Sequence, residues 1–131
     1  MILLDSNYIV SFLIDTESNH GRALELSKNI HGKEIVITNA ILIETINLLT
    51  KKLNKNTNAI AEVFKFIKNE FRIIYETDES TNESLQILIK YSANIGLADA
   101  INIEVMKELG IYEIVSFDPH FDNKKGIIRI Y

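Results

Sequence analysis

The chain has 131 residues, 47% of them hydrophobic, and a formal net charge of −4 from 14 Lys and Arg against 18 Asp and Glu. This length and apolar fraction predict a single domain, residues 1–131, with a hydrophobic core of its own. The absence of cysteine excludes disulfides and thiolate zinc sites, and the three histidines are scattered, so we expect any bound metal to be held by oxygen. The net negative charge argues against a protein that binds nucleic acid by bulk electrostatics alone. It does not exclude a nuclease, because the acids of a metal site contribute negative charge that bound cations reverse locally.

The sequence shows no targeting or membrane segment. Asp5 follows residues 1–4 directly, without the basic and apolar stretches of a signal peptide. No apolar run reaches the roughly 20 residues that cross a membrane. We therefore expect a cytoplasmic protein with no membrane partner.

Short apolar runs alternate with longer segments of helical period. In chain order, the pattern predicts a strand at 1–4, helices at 7–14 and 17–30, a strand at 34–37, helices at 39–53 and 57–70, a strand at 71–75, helices at 80–94 and 98–109, and strands at 113–116 and 127–130. The expected helix N-caps are Thr16, Asn39, Thr57 and Ser80, and the expected stops are Gly32 and Gly110. This alternation predicts an α/β fold with a mainly parallel sheet that is covered on both faces.

Two aspartates follow predicted strands, where open parallel sheets place their binding sites. Asp5 comes directly after the first strand, and Asp118 lies just beyond the fourth. Asp5 also suits an ordinary helix N-cap, so its position alone does not decide between a cap and a site. Asp118 precedes Pro119, which disfavours a helical conformation and predicts either a turn that presents the Asp118 side chain or an ordinary Asp-Pro turn.

Glu44 interrupts a predicted helix that is apolar nearly all the way round. Ile41 and Leu48 flank it on its own face, so the pattern predicts that Glu44 is buried. A buried carboxylate costs several kcal/mol unless a partner charge or a metal compensates it. No Lys or Arg occurs between Lys33 and Lys51, so the helix offers no such partner.

Asp99 and Asp122 complete the set of candidate acids. Asp99 lies near the start of another largely apolar helix, where interaction with the helix dipole, worth about 0.3–1 kcal/mol, is the alternative explanation. Asp122 is either a further metal ligand or a solvated loop charge. Each acid alone has an ordinary explanation, but Asp5, Glu44, Asp99 and Asp118 all fall at strand ends or inside apolar helices, while most other acids lie in polar stretches.

Carboxylates gathered without cationic partners favour a divalent metal. They repel one another and are desolvated, and a hard cation relieves both costs. Mg²⁺ or Mn²⁺ is the expected ion, because both accept oxygen ligands and retain waters. Such sites serve phosphodiester hydrolysis, in which one metal lowers the pKa of an attacking water and another, about 4 Å away, stabilises the leaving oxygen. The pattern fits one metal or two.

The order and spacing of these residues resemble the PIN-domain nucleases over essentially the whole chain. The resemblance rests on Leu-Leu-Asp ending at Asp5, Ile-Glu ending at Glu44, Leu-Ala-Asp-Ala around Asp99, and Val-Ser-Phe-Asp-Pro-His-Phe around Asp118. It implies a three-layer α/β/α fold with a parallel sheet of about five strands. It also implies that these four acids bind the metal and carry the catalysis.

The resemblance extends to supporting residues and partners. It gives Ser116 a supporting role and leaves Asp122, Ser6 and Asn7 as weaker candidates. Because all four core acids are present, it implies an active metal-dependent endoribonuclease that cuts RNA. Small members of the family similar to this chain are often toxins of the VapC type, which form homodimers and are silenced by a cognate antitoxin.

An RNA backbone needs cations near the cleavage site, and several lysines are candidates. The candidates for RNA binding are Lys51, Lys52, Lys55, Lys65 and Lys68. For each of them the ordinary alternative, a solvated helix end, is favoured. His20, His31 and His120 lack a nearby nucleophile or a paired histidine, so we interpret them as surface or loop residues.

Other functional classes fit the sequence less well or stay open. An aspartyl phosphatase has a second Asp two positions after the first, where this chain has Asn7. A phosphoacceptor receiver domain is expected to have paired acids near the first strand, and a lysine and a closing helix after the last strand, whereas here Tyr131 directly follows the final predicted strand. An RNA-processing PIN nuclease without an antitoxin, and a PIN-like module that binds RNA or protein without cutting, both stay open. Loss of a core acid would have favoured the module, and none is lost.

Overall fold

The computed structural model describes residues 1–131 as a five-stranded sheet with six α-helices. The strands are β1 (Ile2–Leu4), β2 (Ile35–Thr38), β3 (Arg72–Ile74), β4 (Glu113–Val115) and β5 (Ile128–Ile130). The helices are α1 (Ser6–Leu13), α2 (His20–Ile30), α3 (Asn39–Lys52), α4 (Thr57–Glu70), α5 (Asp78–Lys90) and α6 (Leu97–Leu109), and a short 3₁₀ turn covers Pro119–Phe121. Every predicted strand and helix is confirmed, with ends that differ by at most four residues.

The sheet has the order β3-β2-β1-β4-β5, and all neighbouring strands are parallel. The chain moves outward from β1 to β3 and then returns to the other side of β1. Because crossovers between parallel strands are right-handed, this reversal places α1 to α4 on one face and α5 and α6 on the other. The crevice at the carboxyl ends of β1 and β4 is therefore the topological switch point of the sheet, where ligands bind in folds of this class.

The central strands form the core of the molecule. Ile2, Leu3, Val36, Ile37 and Ile114 are fully buried between the two helical layers. The edge strands β3 and β5 are partly exposed, so the predicted covering on both faces holds for the centre of the sheet and fails at its margins. None of the helices combines the length and the hydrophobicity that crossing a bilayer requires.

The helix starts differ from the predicted N-caps. The capping side chains are Thr38 for α3, Asn56 for α4 and Thr77 for α5, in place of Asn39, Thr57 and Ser80. Asn19 precedes α2 without a side-chain bond, so the expected cap at Thr16 was also wrong. At α3 and α4 two adjacent residues both cap well, and the sequence alone did not choose between them. The stop at Gly110 is confirmed by its left-handed conformation, with φ of 66°.

Candidate active site

Asp5 is the buried centre of a hydrogen-bond network at the carboxyl end of β1. It caps α1, and its Oδ1 accepts the backbone N–H of Ser6 at 2.8 Å. Its Oδ2 accepts the Ser116 hydroxyl at 2.6 Å and the Asn7 amide at 3.1 Å. Only 5% of Asp5 is exposed, and burial raises its pKa to about 6 despite these donors. Asp5 is therefore a helix cap and also a perturbed carboxyl at the switch point.

Ser116 and Asn7 tie the loop after β4 to the start of α1. The fully buried Ser116 hydroxyl donates to Asp5 and accepts the backbone N–H of Asp118 at 3.0 Å. The side-chain oxygen of Asn7, Oδ1, accepts the backbone N–H of Phe117 at 3.0 Å. These bonds fix Asp118 relative to Asp5, although 113 positions separate the two in sequence.

Asp118, Asp99 and His120 form a tight cluster beside Asp5. Asp118 has an extended backbone before Pro119, and its Oδ1 accepts the backbone N–H of His120 at 2.9 Å, which confirms the predicted turn. Asp99 lies in the first turn of α6. The His120 Nδ1 is 3.3 Å from Asp118 Oδ2 and 3.7 Å from Asp99 Oδ2. One donor atom from each of the three residues lies within 4.8 Å of the others.

The acids of this crevice perturb one another. Burial is the main cause that raises the pKa of Asp99, and the charges of Asp118 and Glu44 raise it further, while His120 opposes them. The charges of Asp99 and Glu44 likewise add to the effect of burial on the pKa of Asp5. No lysine or arginine forms an ion pair with any of the four predicted acids. The site therefore concentrates negative charge, and His120 is the only basic side chain that contacts its acids.

Glu44 is exposed, so the prediction that it is buried was wrong. The helix α3 packs against α1, α4 and α6, and it turns Ile43, Glu44 and Asn47 outward. Ile43 is 53% exposed, which shows that the apolar residues of α3 continue onto its free side. Glu44 thus needs no compensating cation for burial. Its charge still acts on Asp5 and Asp99, so it lies at the rim of the acid cluster.

Asp122 forms an ion pair with Arg129. Arg129 donates to both of its carboxylate oxygens, with Nε at 2.6 Å from Oδ1 and Nη2 at 2.9 Å from Oδ2. These hydrogen bonds lower the pKa of Asp122. Arg129 also donates to the backbone carbonyl of Ser116 at 3.2 Å. Asp122 therefore supports the end of β4 through Arg129, a role that neither of the sequence interpretations contained. The sequence signal was a basic residue inside the apolar run of β5.

Of the lysines proposed for RNA binding, Lys51 lies beside the acids. It lines a surface hollow of about 400 Å³ together with Glu44 and Ala98, the residue before Asp99. The remaining lysines are placed as follows: Lys52 pairs with Glu17, Lys68 donates to the Tyr75 hydroxyl at 2.7 Å, and Lys55 and Lys65 are exposed without an ion pair.

Sequence reasoning missed two features of the crevice. It placed His120 correctly on the surface, with 56% of the side chain exposed, but did not see its contact with two acids. It also missed the buried bond from the Thr38 hydroxyl to Asn102 Oδ1 at 2.7 Å, which ties the start of α3 to α6. Asn102 lies one turn after Asp99, and its polar side chain in a largely apolar helix was the available signal.

The chain has a parallel sheet with carboxylates gathered at its switch point. These two features place it in the class of α/β proteins with an acidic site at the carboxyl edge of the sheet. Within that class, a model of the PIN domain matches residues 2–127. The chain belongs to the PIN-domain family, as its motifs predicted. No curated protein gives a significant match to the sequence.

Solved structures with this fold include several toxins and toxin–antitoxin complexes. The VapC20 toxin of Mycobacterium tuberculosis, described as cleaving the sarcin-ricin loop, superposes with a TM-score of 0.79 at 20% identity over 91% of each chain. A toxin–antitoxin complex from Klebsiella pneumoniae gives 0.70 at 18% identity, over 98% of this chain and 96% of the other. The VapBC2 complex of Rickettsia felis, bound to promoter DNA, gives 0.68 at 19% identity over 99% and 98%. At these identities the similarity establishes the fold.

Proposed function

We propose that residues 1–131 act as one nuclease domain, a divalent-metal-dependent endoribonuclease that hydrolyses RNA phosphodiester bonds. The observation that carries the proposal is the acid cluster of a PIN-family chain at the switch point of the sheet, with no Lys or Arg paired to it. An acidic crevice of this kind, with perturbed carboxyls, is a typical signature of a catalytic site.

The donor set fits a hard divalent cation. Burial and mutual repulsion raise the pKa values of Asp5 and Asp99, and both effects are relieved when a cation binds. Mg²⁺ or Mn²⁺ is the proposed ion, with Asp5, Glu44, Asp99 and Asp118 as its ligands and catalytic acids. Such an ion, when bound, supplies an activated water nucleophile and neutralises charge on the leaving oxygen. Asp122 is left out of the proposed ligand set, because the guanidinium of Arg129 binds both of its oxygens and already compensates its charge.

The residues around the acids hold them in position. Ser116 and Asn7 both donate to Oδ2 of Asp5, and the Ser116 hydroxyl also accepts the backbone N–H of Asp118. These bonds fix the orientation of the Asp5 carboxylate relative to the turn at Asp118. Ser6 contributes its backbone N–H at 2.8 Å. Such preorganisation costs nothing at the moment of reaction, which is how enclosed polar sites accelerate chemistry.

The RNA is proposed to cross the rim of the crevice beside α3. Glu44 and Lys51 share one surface hollow there, so an acid of the site and a cation for a phosphate lie side by side. A single lysine cannot supply much affinity, since each neutralised phosphate contributes a modest part of binding. The negative chain therefore favours a substrate recognised by its shape rather than bulk attraction.

We further propose that the protein is the toxin of a toxin–antitoxin pair, with a cognate antitoxin as partner. The support is the shared fold with the complexes from Klebsiella pneumoniae and Rickettsia felis.

The proposal includes a homodimer, supported by the exposed side chains of Ile43, Phe64 and Tyr75, which surround an apolar hollow of about 390 Å³ between α3 and α4. Sedimentation equilibrium tests this assembly, and a purely monomeric protein at micromolar concentration contradicts it.

Cleavage of a mixed panel of single-stranded and structured RNAs tests the nuclease. The native protein is compared with Asp99→Asn in Mg²⁺, in Mn²⁺ and in EDTA. The Asp15→Asn variant is the matched control, because Asp15 is an exposed aspartate beyond the end of α1 with no ion pair. We expect cutting that needs metal, survives in the control and disappears in Asp99→Asn.

Two outcomes redirect the proposal. Well-folded, antitoxin-free protein that binds RNA without cutting under any metal supports the non-cleaving module. Metal-dependent cutting by a chain whose genomic neighbourhood encodes no antitoxin-like protein supports an RNA-processing nuclease instead of a toxin.

A further inference from the structure

His120 is the one histidine whose ring nitrogen faces carboxylates. The His20 Nδ1 is engaged with the Ser11 carbonyl at 2.8 Å, and His31 is an exposed residue at the end of α2. The His120 Nδ1 instead lies 3.3 Å from one oxygen of Asp118 and 3.7 Å from one oxygen of Asp99. No other titratable nitrogen approaches these two acids as closely.

The fold fixes the direction of this ring. His120 is the middle residue of the 3₁₀ turn, between Pro119, whose φ is restricted, and Phe121, whose side chain is fully buried in the core. Its backbone N–H donates to Asp118 Oδ1, which leaves Asp118 Oδ2 on the side of the imidazole. The backbone of His120 is thus held in place on both sides, while 56% of its side chain is exposed to solvent and accessible to an ion.

The His120 Nδ1 lies about as far from the two carboxylates as ligands that share one ion lie from each other. Ligands bound about 2.1 Å from an octahedral metal are about 3 Å apart when adjacent and about 4 Å apart when opposite. The two distances from His120 Nδ1, 3.3 Å and 3.7 Å, fall between these limits. The whole trio stays within 4.8 Å, so a small adjustment of side chains brings all three atoms to one ion.

We propose that His120 Nδ1 is a metal ligand, joining Asp99 and Asp118 to form a mixed nitrogen and oxygen set. This inference rests on the proposed function, and it replaces the expectation that the metal is held by oxygen alone. Imidazole nitrogen is a good ligand for transition metals and a poor one for Mg²⁺. The site is therefore built to prefer a transition-metal dication such as Mn²⁺ over Mg²⁺.

Pulsed electron paramagnetic resonance of the Mn²⁺-loaded protein tests the assignment without any turnover. A coordinated imidazole gives ¹⁴N modulation of the Mn²⁺ spin echo, and ¹⁵N-labelled histidine changes its frequency. We expect this modulation in the native protein and in the control His31→Gln, and its loss in His120→Gln. Titration with Mn²⁺ should show an affinity lower by about tenfold or more in His120→Gln. The affinity for Mg²⁺ should change by less than about threefold.

The outcomes separate this inference from the proposed function. Mn²⁺ that binds, is lost in Asp99→Asn and shows no ¹⁴N modulation overturns the role of His120 while leaving the carboxylate site in place. A native protein that binds no Mn²⁺ or Mg²⁺ overturns the proposed metal site and the His120 assignment together. Modulation that is lost in His31→Gln overturns the assignment to His120. The ¹⁵N-histidine experiment uses native protein, so histidine coordination is tested even when a substitution affects folding, and its absence overturns the role of His120.

Discussion

Neutralising Asp5 should stabilise the metal-free protein at neutral pH, although Asp5 is the most connected side chain of the crevice. Its pKa rises from 3.8 to about 6 on folding, and burial is the main cause. The native state therefore binds this proton more tightly than the unfolded chain does. Stability from this group is complete below about pH 4 and is lost as the pH rises through about 6. Above that pH the ionised side chain is a net cost to the native state.

The size of the effect follows from the shift. Two pKa units correspond to about 3 kcal/mol between the protonated and ionised forms. Asparagine resembles the protonated acid, but its Nδ2 lies where Asp5 Oδ2 accepts from Ser116 and from Asn7 Nδ2. The Ser116 hydroxyl can rotate to accept, while the Asn7 amide loses its acceptor, at a cost of about 1 kcal/mol. We expect Asp5→Asn to be more stable by about 1–2 kcal/mol at pH 8.

Urea unfolding followed by circular dichroism in EDTA measures this difference. The gain in Asp5→Asn should be present at pH 8 and vanish near pH 4, while Asp15→Asn changes stability by less than about 0.5 kcal/mol at both. Added Mn²⁺ should raise the urea midpoint of the native protein and not that of Asp5→Asn. A variant that is less stable than the native protein at pH 8, or a difference that does not change with pH, refutes the reasoning.

Three further substitutions probe the surroundings of the site by the same unfolding assay. Ser116→Ala removes the 2.6 Å donor to Asp5, so it should lower stability by about 1–3 kcal/mol at pH 8 and raise the pKa of Asp5 further, which NMR titration measures. Asn102→Ala leaves the buried Thr38 hydroxyl without its acceptor and should cost about 1–3 kcal/mol; an unchanged urea midpoint contradicts this. Glu104→Gln should raise stability at pH 8 and not at pH 4, because burial raises the pKa of Glu104 and its Oε2 has no hydrogen-bond partner; a loss at pH 8 argues against it.

Local pattern was enough for the order of elements and for the positions of the acids along the chain. The apolar runs that became β1 and β4 are followed by Asp5 and Asp118, and parallel strands bring such residues to one edge. The order of these acids also predicted the PIN family, which the match over residues 2–127 confirms. Hydrophobic periodicity and strand ends are properties of short segments, so they can be predicted without knowing the rest of the fold.

Tertiary structure decided the environment of each side chain. Glu44 is exposed because α1, α4 and α6 cover only part of α3, and no periodicity within α3 reveals which of its faces has a neighbour. Asp122 meets Arg129 only because β5 returns beside β4, and His120 meets Asp99 only because α6 begins at the same edge of the sheet. The sequence by itself determined the strands, the helices and the order of the acids. The packing of distant segments determined burial, pairing and pKa, because these depend on atoms that are far apart along the chain.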